Sequence, residues 1–220
     1  MKTVMCFGDS NTWGHVAAWP IPQGPAQRFD ENTRWPKVMA CELGSEYNVV
    51  EEGLGGRTTI FSTQAEPYKG GDTYLVPALL SHRPLDAVIL MLGTNDLRME
   101  FGVTEANAMD GLRKLIAMIH AHPDCGTNGK APAILLAAPI RVRKPEGRQD
   151  HYEARGRERG VYLSEVYARQ CRALAEELGC AYLDAGAVAE ASLTDGLHMD
   201  GDSHRRLGRY MAEKIREILD

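Results

Sequence analysis

Short, nearly continuous apolar runs that end abruptly at Gly or Pro constrain this chain more than any other feature. Residues 3–7, 86–92 and 132–138 have the length of β-strands. Their lack of polar alternation means that both of their faces must be covered. Residues 47–51 and 180–183 read as two further strands. Between the runs, apolar residues recur at helical spacing: Ala108, Met109, Leu112, Leu115, Ile116 and Ile119, then Val166, Tyr167, Cys171, Leu174 and Leu178 ahead of Gly179. Leu207, Tyr210, Met211, Ile215 and Ile218 repeat the pattern at the C-terminal end. Strands alternating with helices predict a three-layer α/β/α sandwich on a five-stranded parallel sheet, because each right-handed crossover lays a helix on a sheet face. The expected strand order is flavodoxin-like, 2-1-3-4-5. In such a sheet the ligand crevice lies beyond the carboxyl ends of the strands, where the winding reverses.

With 220 residues and 44% hydrophobic content the chain can bury one sizeable core, so a single domain over 1–220 is expected. Long connections near 16–34, 57–73 and 139–159 interrupt it. Thirty acidic against 25 basic residues give a net charge of −5, which argues against nucleic-acid or anionic-membrane partners. Cys6, Cys41, Cys125, Cys171 and Cys180 lack C-x-x-C spacing, and their odd number does not suggest a disulfide framework. The first apolar run turns at Gly8, too early for a signal segment, and no run reaches membrane-spanning length. A cytoplasmic setting is therefore expected.

The chemistry sits at the two ends of the chain. Gly8-Asp9-Ser10-Asn11 closes the first strand and Asp195-Gly196-Leu197-His198 is expected to open the last helix. A serine hydroxyl becomes an effective nucleophile when an imidazole takes its proton, and the imidazole needs a carboxylate to fix its tautomer. Ser10, His198 and Asp195 supply those three groups. Each also has a structural reading: Ser10 as a helix N-cap, His198 as a core or capping residue, Asp195 as a turn former. Asp9 and Asp96 are expected to position nearby backbone, and His15 to sit with Trp13 at a pocket rim. His82, His120, His122 and His151 show no partner spacing. Asp195, His198, Asp200, Asp202 and His204 form a run that could hold a divalent metal, but it matches no HExxH or EF-hand pattern. Asp200 and Asp202 fit better as caps of the last helix, and no metal or cofactor is expected.

The 139–159 connection carries Arg141, Arg143, Lys144, Arg148, Arg155, Arg157 and Arg159 against Glu146, Asp150, Glu153 and Glu158. It reads either as a solvated or subunit-contacting loop or as a substrate-binding rim.

Four blocks together carry a resemblance: Gly8-Asp9-Ser10, Gly56 within Glu51-Glu52-Gly53-Leu54-Gly55-Gly56-Arg57, Gly93-Thr94-Asn95-Asp96, and Asp195-x-x-His198. In this order they resemble the SGNH, or GDSL-type, hydrolase superfamily over essentially the whole chain, in particular its bacterial arylesterase and acyltransferase branch. The resemblance implies Ser10 as nucleophile, His198 as general base and then acid, and Asp195 as its orienter. It further implies an oxyanion hole made of the Ser10 N–H, the Gly56 N–H and the Asn95 side-chain amide. Substrate contacts are expected from Asn11, Trp13, His15, Arg57 and Arg143. The implied activity is hydrolysis of short-chain, acetyl-type esters of aryl or alkyl alcohols through an acyl-enzyme. Water or an alcohol would accept the acyl group, and a homo-oligomer is implied. Carbohydrate acetylesterase activity is the alternative, and a silent flavodoxin-like binding module a remoter one. Two departures from the branch bear on substrate: Asn11 stands where the branch has leucine, and the 139–159 connection is charged where acyltransferases build an apolar channel. Both favour a more polar pocket and hydrolysis over transfer.

Overall fold

The structure, a computed structural model, describes residues 1–220. Five strands, β1 (Lys2–Gly8), β2 (Tyr47–Gly53), β3 (Ala87–Met91), β4 (Ala133–Ala138) and β5 (Ala181–Asp184), form one parallel sheet in the order β2-β1-β3-β4-β5. The sandwich and strand order expected from the alternation are those observed. Seven α-helices accompany the sheet: α1 (Ser10–Trp13), α2 (Trp35–Leu43), α3 (Gly71–His82), α4 (Asp110–His120), α5 (Asp150–Ala154), α6 (Glu158–Leu178) and α7 (Gly201–Leu219).

The continuous apolar runs are explained by two cores, one on each face of the sheet. Met5, Phe7, Val88, Leu90, Leu136 and Ala138 point to one face, where α3, α4 and α6 contribute residues such as Leu75, Leu79, Leu112, Leu115, Tyr167 and Leu174. The alternate residues Val4, Cys6, Ala87, Ile89, Leu135 and Ala137 point to the other, against Trp35, Met39 and Leu43 of α2 and Leu207, Met211 and Ile215 of α7. Period-2 geometry thus sends successive apolar residues into different cores. Full burial of each larger aliphatic or aromatic side chain is worth roughly 1.5–3 kcal/mol.

Two of the long connections are partly helical. The 57–73 segment runs into the first turn of α3, and the 139–159 segment contains α5 and the start of α6. No helix is long and apolar enough to cross a membrane.

Register positions the site. Gly8 lies opposite both Gly53 of β2 and Met91 of β3, so the carboxyl ends of these three neighbouring strands are level. The chain leaving β1 at Asp9-Ser10 therefore emerges between the turns that follow β2 and β3. This is the reversal point where the crevice was expected.

Candidate active site

Ser10 opens α1, with Asp9 between it and Gly8, the last residue of β1. Asp9 caps this helix by accepting the Asn11 N–H at 2.9 Å, which accounts for its expected positioning role. As the first helical residue, Ser10 has no intrahelical acceptor for its N–H. Its Oγ lies 2.9 Å from His198 Nε2, and both residues are buried.

The His198 ring is held from its other side, where Nδ1 is 2.6 Å from Asp195 Oδ2. Asp195 Oδ1 accepts the backbone N–H groups of Leu197 and His198, each at 3.0 Å. Burial alone would push this carboxyl up. The hydrogen bond and charge of His198, with the two backbone donors, outweigh burial and hold it at about 2. Ionised Asp195 assigns the proton to Nδ1, which leaves Nε2 to accept from Ser10. Against an unfolded value of about 3.9, Asp195 stabilises the fold above roughly pH 4, and that contribution is lost as pH falls through 2.

The Asn11 amide is engaged within the protein. Its Nδ2 donates to Leu197 O at 3.2 Å and its Oδ1 accepts the Met199 N–H at 3.0 Å. The two bonds flank His198, so the amide stitches the histidine loop to the serine helix in a way that a leucine could not.

Across the crevice, Gly56 has φ +77°, a conformation suited to glycine, and its N–H makes no hydrogen bond. Lys69 Nζ donates to the neighbouring Gly55 carbonyl. Asn95 follows β3; its Nδ2 donates to Arg57 O at 3.0 Å, and its Oδ1 accepts from Arg155 Nη2 at 2.9 Å. Asp96 accepts the Thr59 N–H at 2.8 Å and the Thr59 hydroxyl at 2.5 Å, so the loops after β2 and β3 are tied together. Burial raises the Asp96 carboxyl to about 7 against these bonds. Gly93, at φ +125°, permits this turn because a Cβ there would lie 2.2 Å from the buried Tyr167 ring.

These groups open onto a crevice of about 580 Å³ that contains Ser10, Gly56, Asn95 and His198 and is rimmed by Arg98, Arg148, Asp150 and His151. His15 lines it as expected, its ring centroid 4.2 Å from that of His198. His151, which no spacing marks, packs edge-on against His198 at 5.4 Å. Burial, and then the neighbouring His198, lowers both His15 and His151 to about 4. They are therefore neutral partners of His198 near neutrality. Unfolded, each protonates near 6.5, so they make stability fall as pH drops from about 6.5 to 4. In an NMR titration of the histidine ring protons, three of the seven sets are expected to have low midpoints, His15 and His151 near 4 and buried His204 near 3; His15 and His151 midpoints above about 6 would contradict the packing.

Three residues expected at the substrate are committed elsewhere. Arg57 is buried, donating from Nη1 to Gly8 O at 3.0 Å and to Glu52 O, with its guanidinium 4.2 Å from the Phe7 ring centroid. It borders a separate cavity of about 570 Å³. Arg143 Nη1 donates to Glu190 and Ala191 O at 2.8 and 3.1 Å, while its backbone N–H braces Gly196. Trp13 lies under the Arg28 guanidinium, outside the crevice lining. The acid-imidazole run does not converge either: Asp200 caps α7 through Ser203 N, Asp202 pairs with Arg205, and buried His204 Nδ1 accepts the Trp35 N–H. A different trio, His151, Asp195 and His198, brings donor atoms within 4.8 Å of one another. The polar atoms of Asp195 and His198 in that trio are already spent on each other and on Ser10.

Part of the 139–159 connection lines the crevice, while Lys144, Glu146, Gln149, Glu153 and Arg157 along it are exposed to solvent. Arg155, Asp150 and His151 reach the site from it, and residue spacing alone could not mark them.

A parallel α/β sandwich that brings a serine at the end of its first strand to an imidazole–carboxylate pair before its last helix has the arrangement of groups that serine acyl hydrolysis uses. Residues 6–206 match the GDSL-like lipase/acylhydrolase family model, and the chain belongs to that family. Among solved structures, an aryl esterase from M. smegmatis is 33% identical, with each chain covered over 100% of its length and a TM-score of 0.90. A carbohydrate acetylesterase from Sinorhizobium meliloti is also 33% identical, over 99% of this chain and 100% of that one, with a TM-score of 0.91. No curated protein sequence matches.

Proposed function

We propose that this chain is a serine esterase that hydrolyses short-chain, acetyl-type esters through an acyl-enzyme. The observation that carries this reading is the unbroken buried series Ser10 Oγ, His198 Nε2, His198 Nδ1 and Asp195 Oδ2, with steps of 2.9 and 2.6 Å across the imidazole. Ser10 attacks the ester carbonyl as His198 takes its proton. The developing oxyanion is met by the N–H groups of Ser10 and Gly56 and by the Asn95 amide, and His198 then protonates the departing alcohol. Water, activated by the same imidazole, releases the acid.

The rim supports hydrolysis over transfer. Arg148 holds Asp150 through two bonds of 2.6 Å, and Arg98 and His151 keep the mouth polar, so water is not excluded as an apolar channel would exclude it. With an aryl acetate and excess alcohol in water, acetate is expected to exceed the transfer ester; a dominant ester product would reverse this reading. The same polar rim suits sugar hydroxyls, so carbohydrate acetylesterase activity is the second reading. Relative kcat/KM on acetylated sugars and aryl acetates separates the two. Five free cysteines, three of them buried, are compatible with a reducing cytoplasm. Exposed Trp19 and Ile21 offer apolar surface for a homo-oligomeric contact.

A further inference from the structure

Arg155 occupies an unusual position for a cation. It lies in the turn between α5 and α6, is 2% exposed, and has no carboxylate within ion-pairing distance. Its whole fork is spent on neutral oxygens: Nε donates to Thr94 O at 3.0 Å, Nη1 to His151 O at 2.9 Å and Nη2 to Asn95 Oδ1 at 2.9 Å. Space for its stem is made by Gly160, where a Cβ would lie 2.6 Å from that of Arg155. Burying a guanidinium with no carboxylate in direct contact is costly even with the charges of Asp9, Asp195 and Asp150 in the neighbourhood, and a neutral side chain could fill the same volume at less expense. The retained charge therefore calls for a local role.

We infer that Arg155 is a positioning residue of the oxyanion hole, acting through Asn95. A primary amide has two orientations that differ by exchanging oxygen and nitrogen, and only one aims N–H groups at the crevice. The guanidinium can only donate, so it tolerates only the amide oxygen on its side, as the Arg57 carbonyl, which can only accept, tolerates only the amide nitrogen on the other. Together the two fix Nδ2 towards Gly56 and the substrate, where one of its hydrogens meets Arg57 O. Charge at Oδ1 also polarises the amide and makes the remaining N–H a stronger donor as negative charge develops. Burial lowers Arg155 to about 10, so it stays charged at neutral pH. Because the same fork grips the His151 carbonyl, the crevice rim and the oxyanion hole share one fastening.

This inference rests on the proposed esterase reading, with Asn95 in the oxyanion hole. The test is a double-mutant cycle with Arg155→Met and Asn95→Ala, assayed with an aryl acetate and accompanied by circular dichroism. Arg155→Met is expected to lower kcat roughly 10- to 100-fold with KM changed less than about 3-fold. On the Asn95→Ala background its further effect should shrink below about 3-fold. Arg155→Lys, which keeps the charge and loses the fork, should recover part of kcat. A folded Arg155→Met enzyme within about 2-fold of wild-type kcat, or an equal loss on both backgrounds, would overturn the inference. So would a chain that folds with neither Met nor Lys, since Arg155 would then serve the fold. If Asn95→Ala and Ser10→Ala were themselves fully active, the esterase reading would fail first, whatever Arg155 did.

Discussion

Replacing Ser10 with alanine is expected to reduce kcat/KM for an aryl acetate by roughly 10⁴- to 10⁶-fold while leaving the fold intact. The fold should survive because the hydroxyl has one partner, His198 Nε2, and that ring remains anchored by Asp195. The loss should be this large because the crevice holds no other hydroxyl or thiol that could take the place of Ser10 beside His198. His198→Ala should cost nearly as much, since an unassisted serine hydroxyl keeps its proton at neutral pH. The two losses should not add. Once either group is gone the other has nothing to act upon, so a double variant about as active as the worse single one is the expected signature. Activities that fell multiplicatively would indicate that the two residues serve separate steps.

The second large effect is expected at Asn95. In the proposed oxyanion hole its amide is the side-chain donor, and losing one such donor removes about 3 kcal/mol of transition-state stabilisation. Asn95→Ala should therefore lower kcat roughly 100-fold or more, with a much smaller change in KM, because a ground-state ester carbonyl makes weaker use of the donor. Some stability should go as well, since Arg57 O loses a donor and Arg155 an acceptor. Kinetics measured well below the melting temperature, with the melt followed by circular dichroism, separate the two contributions. A change confined to KM would place Asn95 in substrate binding rather than in transition-state stabilisation.

The legibility of this chain followed the physics of each element. β1, β3 and β4 were readable because their burial on both faces leaves no polar interruption, and α4, α6 and α7 because each turns a single apolar stripe to the sheet. Helix α3 was hidden: it begins at Gly71, carries Pro77 in its interior and buries little of a regular stripe. Ser10, Asp195 and His198 could be matched because their chemistry demands particular residue types. Asn11 misled because only the folded chain shows that its amide reaches Leu197 and Met199, almost the full length of the sequence away. Charge beside a motif suggests substrate contact at Arg57 and Arg143, but the folded chain has Arg57 Nη1 donating to backbone oxygens and Arg143 Nη1 to Glu190, partners that spacing does not reveal. His151 and Arg155 carry no sequence signal at all. Their roles depend on how the turn between α5 and α6 folds back over the strand ends, which is a tertiary event.

The central claim is that Ser10 is made reactive by His198, and fluorophosphonate labelling followed by peptide mapping tests it most directly. The reagent reacts with an activated serine and mimics the tetrahedral state that the oxyanion donors would hold. One adduct per chain is expected, on the peptide containing Ser10, with labelling that all but disappears in His198→Ala. An adduct on any other residue, or labelling of Ser10 as fast without His198 as with it, would contradict the account.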